Sequence, residues 1–272
     1  MGSAAEVLLV RGRYVSAGIV VAGLALLAMG WTGSLPPAGQ PVQVDASTYH
    51  HFWLWGGVRP QPVLAQAKRI YLLQGEISRS GNRTRLQPQG VPPSPLRVPE
   101  LWLSYRVSTL DWSPTVVRDL LRQRAAWQAQ GNQVSGIQID FDAATPALAG
   151  YADFLRALRR QLPADCQLSI TGLLDWGANG DIRTLNGLHG VVDELVVQTY
   201  RGRHTVANYQ AYLPALRHLT LPFRLGLVQH GDWDLRWQRQ FASQPNYRGE
   251  VVFLLNATLS PTPDSSREGR HE

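Results

Sequence analysis

The chain has 272 residues, a hydrophobic content of 44% and a net charge of +6. This length and apolar content predict one large domain, because single α/β barrels of about 200–250 residues are common. The basic residues are scattered rather than clustered, which argues against a nucleic-acid-binding protein. The one cysteine, Cys166, excludes an internal disulfide.

Residues 1–31 are predicted to be an export segment. Arg11 and Arg13 precede an uncharged apolar run at 14–31, and this order places the body of the protein outside the cytoplasm. The run is nearly as long as a membrane span and has only a fair cleavage site, so a signal peptide and a membrane anchor both stay open. We expect a periplasmic or extracellular protein with a linker at 32–48. A buried first helix of the domain is the alternative.

From residue 49 onward, strand-like and helix-like segments alternate, which predicts a parallel sheet. Ser113 followed by Pro114 is a typical helix start, and Gly131 is a typical stop. Eight strands interleaved with helices predict a (β/α)₈ TIM barrel at residues 49–258. The predicted strands are Tyr49–Trp55, Arg69–Glu76, Leu101–Val107, Ser135–Asp142, Gln167–Leu174, Glu194–Tyr200, Phe223–Gln229 and Glu250–Asn256. The predicted helices are 62–67, 113–130, 146–162, 208–218 and 234–242.

Two segments depart from this alternation. Residues 76–99 are too rich in proline for a helix, and their first part predicts a hairpin around Ser80-Gly81-Asn82. This hairpin is expected on the barrel face where sites form. Residues 259–272 are predicted to be a disordered tail.

The fourth strand ends in two carboxylates. Side chains alternate along a strand, so one face carries its polar groups: Gln138, Asp140 and Asp142. Chemistry in such barrels takes place at the carboxyl ends of the strands, and we therefore predict Asp140 and Asp142 side by side at the mouth. A cap on the helix near Pro146 is the alternative role for Asp142.

Other strand ends also carry polar and aromatic side chains, which predicts a pocket at this rim. Flat rings and carboxylates suit sugar rings and hydroxyls. Asp142, Asp140 and Tyr200 are candidate site residues at this rim. The predicted substrate-binding residues are Gln138, Glu76, Gln198, Arg106, Asp175, Trp176 and Trp53.

No metal or cofactor is predicted. His50, His51 and His230 do not have ligand spacing on one face, and no glycine-rich phosphate loop follows a strand.

The fourth strand resembles the D-G-x-D-x-D-x-E motif of glycoside hydrolase family 18, the chitinase-like barrels. The four acidic positions of that motif are occupied by Ser135, Gln138, Asp140 and Asp142. The resemblance implies that Asp142 stands for the catalytic glutamate. Gln198-Thr199-Tyr200 is similar to the M-x-Y of strand six in that family, whose tyrosine and following acid hold the acetamido group of the substrate; here Arg201 replaces the acid. The resemblance therefore implies that the catalytic residues are Asp142, Asp140 and Tyr200.

The motif departs from the family at two positions. Asp142 is one methylene shorter than glutamate, and a shortfall of ~1 Å in a reacting group costs about a hundredfold in rate. Gln138 lacks the charge that would help a neighbouring acid to keep its proton. Either the pair performs different glycosidic chemistry, or the barrel keeps the groove without catalysis.

A second resemblance covers the domain from 49 to 256. Leu73-Gln74-Gly75-Glu76 followed by Gly136 to Asp142 resembles an uncharacterised family of exported bacterial proteins, a domain of unknown function among the glycosidase-like TIM barrels. This family implies a fold but no activity.

Two functions remain open. One is a glycoside hydrolase-like enzyme that acts on an envelope or extracellular polysaccharide with Asp142 as acid/base. The other is a non-catalytic carbohydrate-binding barrel of the cell envelope. The expected partner is a polysaccharide or oligosaccharide and not a nucleic acid, membrane contact is expected only through the N-terminal segment, and the oligomeric state is open.

Overall fold

The computed structural model describes residues 39–178 and 182–256. The predicted export segment at 1–31 and the predicted tail at 259–272 lie outside the described residues. Within the described ranges, no helix has the length and apolar character needed to span a membrane.

Eight parallel strands in the described residues form one barrel. They are β1 (His51–Leu54), β2 (Arg69–Ser80), β3 (Glu100–Val107), β4 (Val134–Asp140), β5 (Gln167–Leu173), β6 (Glu194–Gln198), β7 (Phe223–Val228) and β8 (Tyr247–Phe253). Each strand pairs with the next, and β8 pairs with β1 to close the circle. The predicted TIM barrel is therefore confirmed.

Helices connect several of these strands. The described residues contain α1 (Pro114–Ala129), α2 (Leu148–Arg159), α3 (Asp175–Ala178), α4 (Ile182–Asn186) and α5 (Arg236–Phe241). The helix predicted at 62–67 is a 3₁₀ helix, Pro62–Gln66. The helix predicted at 208–218 is two 3₁₀ segments, Tyr209–Ala211 and Leu213–His218, because Pro214 has no N–H with which to continue a helix.

The predicted linker is shorter at its C-terminal end than the sequence suggests. Val42–Gln43 pairs antiparallel with Asp232–Trp233, and the Val44 N–H donates to the Gly231 carbonyl over 2.9 Å. A 3₁₀ helix at Ala46–Thr48 follows. Residues 42–48 therefore belong to the folded body, because their backbone groups find partners there.

The barrel has two separate apolar layers. Its interior is filled mainly by aromatic and β-branched residues: Trp53, Tyr71, Trp102, Val196 and Val251. Outside the strands, a larger core packs the helices against the opposite strand faces, including Ile137 and Ile139 of β4. The alternation predicted for β4 is therefore confirmed. Gly136 permits close approach of β5, since an added Cβ would lie 2.0 Å from the Gln167 carbonyl oxygen.

The predicted hairpin is also confirmed. Arg83–Pro88 pairs antiparallel with the second half of β2. A register shift between Leu73 and Gly75 turns Gln74 outward, where it accepts a hydrogen bond from Trp127 Nε1 of α1 at 2.6 Å. The same shift places Glu76 opposite Arg106 of β3. An added Cβ at Gly75 would lie 2.8 Å from the Gln87 carbonyl, so the hairpin requires glycine there.

Buried charges close the N-terminal end of the barrel. Glu194 of β6 accepts hydrogen bonds from Arg69 Nη1 at 2.7 Å and from Arg224 Nε at 2.6 Å, and also from the Tyr71 hydroxyl. Arg224 Nη1 lies 3.1 Å from His51 Nδ1. We call these five residues the floor network.

Candidate functional site

Three charged residues lie at one level across neighbouring strands at the C-terminal mouth. Glu76 of β2 is in register with Arg106 of β3, and Arg106 is in register with Asp140 of β4. Interior and exterior side chains alternate along barrel strands, so residues at one level project together into the mouth. Glu76 is half-buried and accepts a hydrogen bond from Gln89 Nε2 at 3.2 Å.

Asp140 ends β4 with a nearly buried carboxylate that is 4% exposed. It accepts hydrogen bonds from Thr171 Oγ1 at 2.8 Å and from Gln198 Nε2 at 3.4 Å. Burial raises the pKa of Asp140 to about 6, against the opposing effects of the Thr171 hydroxyl and the Arg106 charge. Asp140 can therefore hold a proton close to neutral pH.

Arg106 connects this buried carboxylate to an exposed one. Its Nη1 lies 3.5 Å from Asp140 Oδ2, and its Nη2 lies 3.6 Å from Asp142 Oδ2. The Asp142 side chain is 55% exposed and that of Arg106 is 49% exposed. The guanidinium also lies 5.5 Å from the centre of the Trp55 ring. The predicted carboxylate pair is thus present at the mouth, with an arginine between its members.

The alternative role of Asp142 as a helix cap is not realised. Thr145–Ala147 and α2, the two helices that follow it, both begin without a capping bond from a side chain. Asp142 instead projects toward Arg106, where solvent reaches it.

Aromatic rings form one wall of the mouth. Tyr200 packs against Phe253 at 5.4 Å between ring centroids, and Phe253 packs against Trp55 at 5.6 Å. Burial raises the pKa of Tyr200, and the charges of Asp140 and Asp142 raise it further, so its hydroxyl stays protonated. Sequence reasoning missed Trp55, although it follows Trp53 by two residues and so shares its face.

Two predicted substrate-binding residues lie beneath the mouth instead. Trp53 is 1% exposed and donates from Nε1 to Gln138 Oε1 at 2.6 Å. Gln138 is fully buried and donates from Nε2 to Ser169 Oγ at 3.0 Å. Side chains buried to this extent do not reach a ligand at the mouth. Both side chains instead support the residues above them.

Trp176 also requires a correction. It is 1% exposed, donates from Nε1 to the Ala143 carbonyl at 2.9 Å, and packs against Tyr151 in the layer between helices and strands. It lies in α3 rather than at the end of a strand, so strand alternation does not apply to it. Its neighbour Asp175 is half-buried and accepts a hydrogen bond from Thr145 Oγ1 at 2.8 Å.

In the part of the chain that the structure describes, no three His, Cys, Asp or Glu side chains form a group that could hold a metal ion. His51 belongs to the floor network, while His230 lies at the mouth beyond β7.

A closed parallel barrel with carboxylates, an arginine and aromatic rings at its C-terminal mouth defines a TIM-barrel protein. Residues 101–218 match the model of a domain of unknown function (DUF3142). The matched region runs from β3 past β6 and includes Asp140, Asp142 and Tyr200. The predicted resemblance to such a family is confirmed. No curated protein matches the chain.

Three solved structures with a similar fold illustrate the comparison. The Bacillus cereus spore cortex-lytic enzyme SleL shares 16% identity at a TM-score of 0.40, over 65% of this chain and 50% of the enzyme. The chitinase domain of the Clostridium difficile spore coat protein CotE shares 15% identity at a TM-score of 0.42, over 81% and 76% of the two chains. The xylanase and α-amylase inhibitor XAIP-II from Scadoxus multiflorus shares 13% identity at a TM-score of 0.45, over 75% and 92%. The chain spans half the length of SleL, and similarities this distant carry no information on activity.

Proposed function

We propose that this protein is a glycoside hydrolase-like enzyme whose mouth binds an oligosaccharide or polysaccharide of the envelope or the extracellular space. The observation that carries the proposal is the pairing of two carboxylates in different environments. Asp140 is buried with a pKa of about 6, whereas Asp142 is exposed to any ligand that enters. Carboxylates kept in different environments are the usual basis for acid and base roles in glycoside cleavage.

The roles follow from exposure. Asp142 is the acid/base because it can touch the glycosidic oxygen, and Asp140 beneath it is the charged neighbour that can exchange a proton near neutral pH. Tyr200 orients the reacting group, and Trp55 offers a ring face to a sugar. Further hydrogen-bonding groups at the mouth are Glu76, Gln198 and Asp175.

A non-catalytic carbohydrate-binding barrel is the second candidate, and the position of Arg106 favours it. Arg106 already contacts the Asp142 carboxylate, with Nη2 at 3.6 Å from Oδ2. Contact between Asp142 and a glycosidic oxygen therefore requires the bound sugar to displace this guanidinium. A binding site has no such requirement.

Substitution of Asp142 distinguishes the two candidates. The full chain is screened for binding to a glycan array and for release of reducing ends. We expect Asp142→Asn to lower the release rate by about 10²–10⁴-fold, because it removes the transferable proton, while binding changes little. The control is Asp153→Asn, which removes the same charge from the exposed face of α2. If Asp142→Asn and Asp140→Asn leave both binding and release of a confirmed ligand unchanged, the pair is structural.

We also propose that the protein is exported. The support is the order of Arg11, Arg13 and the apolar run at 14–31. Cell fractionation tests this: a full-length, freely soluble protein in the cytoplasm would contradict export.

A further inference from the structure

A second cavity lies at the C-terminal mouth, beyond the ends of β7 and β8, and its lining does not include Asp140 or Asp142. Its volume is about 410 Å³, which falls in the range of about 300–1,000 Å³ usual for ligand sites. The polar residues of its lining are Arg59, Gln61, Gln229, His230 and Asn256. We call it the rim cavity. Among the described residues that line it, none is acidic, in contrast to the mouth around Asp140.

Two amides form a rigid wall of the rim cavity. Gln229 Nε2 donates to Gln61 Oε1 at 2.9 Å, and Gln229 Oε1 accepts from the Leu255 N–H at 2.9 Å. Gln61 Nε2 donates to the Leu255 carbonyl at 2.8 Å. The wall is therefore formed before any ligand arrives, which lowers the entropic cost of binding.

Asn256 fixes two arginines at the edge of the rim cavity. Its Oδ1 accepts from the Arg59 backbone N–H at 2.8 Å, and its carbonyl accepts from Arg203 Nη2 at 3.0 Å. The Arg59 backbone is thereby held, while its guanidinium has no ion pair within the described residues. An arginine presented in this way can take a carboxylate through two parallel hydrogen bonds.

His230 lies in an unusual backbone conformation. Its φ is 64°, in the left-handed region that favours glycine. Two hydrogen bonds hold the turn, from the His230 N–H to the Val44 carbonyl and from the Gln229 N–H to the Phe253 carbonyl, both at 3.0 Å. Strained residues that the surrounding structure enforces cluster at functional sites, and here the strained residue contributes an imidazole to the lining.

We propose that the rim cavity binds a carboxylate-bearing sugar unit, so that the polysaccharide in question is acidic. Arg59 pairs with the sugar carboxylate, His230 donates a further hydrogen bond, and the amide groups meet ring hydroxyls. The net charge of +6 supports the same class, because it attracts an anionic polymer over long range. The inference rests on the proposed carbohydrate function and adds the class of sugar.

The test uses the full chain and a panel of uronic-acid oligosaccharides, each paired with its carboxyl-reduced counterpart. We expect the acidic member of at least one pair to bind tenfold or more tightly than its reduced form. Arg59→Gln is expected to remove most of this preference. The matched control is Arg160→Gln, which loses the same charge just after α2, at the opposite end of the barrel.

A second variant separates binding from folding. His230→Gly suits the left-handed backbone and removes the imidazole, so we expect an unchanged or higher melting temperature together with weaker binding of the acidic oligosaccharide. Unchanged binding in this variant would contradict a role for His230.

The outcomes separate this inference from the proposed function. Equal binding of acidic and reduced oligosaccharides overturns the acidic-sugar inference even if hydrolysis is found. Equal losses in Arg59→Gln and Arg160→Gln also overturn it, since they indicate general charge attraction. Equal binding of a sulfated oligosaccharide contradicts selectivity for carboxylates. A preference for the acidic oligosaccharide that depends on Arg59, without any release of reducing ends, supports sugar binding at the rim cavity and contradicts only the hydrolase proposal.

Discussion

The two ends of the barrel both combine carboxylates with arginines, yet they differ in how completely the charges are satisfied. In the floor network, Glu194 is bonded by two arginines at 2.6 and 2.7 Å, and its side chain is 7% exposed. At the mouth, Arg106 contacts Asp140 and Asp142 at 3.5 and 3.6 Å and is half exposed. The short contacts at the floor are buried and hold the strands together. The longer contacts at the mouth are exposed to solvent, so the charged groups there can still bond to a ligand. The floor network is therefore a structural element, and the exposed mouth is where we propose that a ligand binds.

The largest loss of stability is expected when the floor network loses its carboxylate. Glu194→Ala leaves Arg69 and Arg224 buried without their shared anion, which costs about 3–5 kcal/mol of unfolding free energy. Urea denaturation of the purified protein measures the loss. The control is Glu100→Ala: Glu100 also pairs with Arg69 but is 43% exposed, so we expect a loss of about 1 kcal/mol or less. Equal losses in the two variants would contradict the structural role assigned to the buried acid.

His51 at the floor and Asp140 at the mouth are expected to change the stability in opposite directions as the pH falls. Burial and the Arg224 charge lower the pKa of His51 from 6.5 to about 4, so below pH 6.5 the unfolded chain takes up a proton that the folded protein does not. This group therefore lowers stability as the pH falls from 6.5 toward 4. Asp140 has its pKa raised from 3.8 to about 6, so the folded protein takes up the extra proton and stability rises as the pH falls from 6 toward 3.8.

Two variants test this opposition between pH 7 and pH 4.5. We expect His51→Gln to reduce the acid destabilisation and Asp140→Asn to increase it, each by on the order of 1 kcal/mol. Urea denaturation at several pH values gives the slope of unfolding free energy against pH, with His218→Gln as the control at an exposed histidine. If both variants change this slope in the same direction, the two groups do not oppose each other.

The sequence predicts the barrel well because its architecture depends on local patterns. The rhythm of strands and helices gives the architecture, and alternation in β4 gives the common face of Gln138 and Asp140. The floor network escapes prediction because its partners are far apart in the chain: Arg69 and Glu194 are separated by 125 residues. Neither residue belongs to a motif, and only closure of the barrel brings them together.

The sequence also does not specify which of three tryptophans lies at the mouth. Trp53, Trp55 and Trp176 all lie near strand ends, but only Trp55 lies beside Arg106 at the mouth. Trp53 is one layer deeper in the barrel, and Trp176 lies in α3 and packs in the outer core. Depth along a strand and the direction of a loop are set by the register between neighbouring strands, which composition and spacing do not specify.

The smallest stability effect is expected at Arg106. Arg106→Gln removes two long contacts from a half-exposed side chain, so the unfolding free energy falls by about 1 kcal/mol or less. Because the Arg106 charge lowers the pKa of Asp140, its removal moves that pKa above about 6, which NMR titration of the carboxyl group measures. The counterpart at the floor is Arg224→Gln, where we expect a loss several times larger. A loss at Arg106 as large as at Arg224 would mean that the mouth is an ion cluster built for stability, and the proposal that a ligand binds at this end would fail.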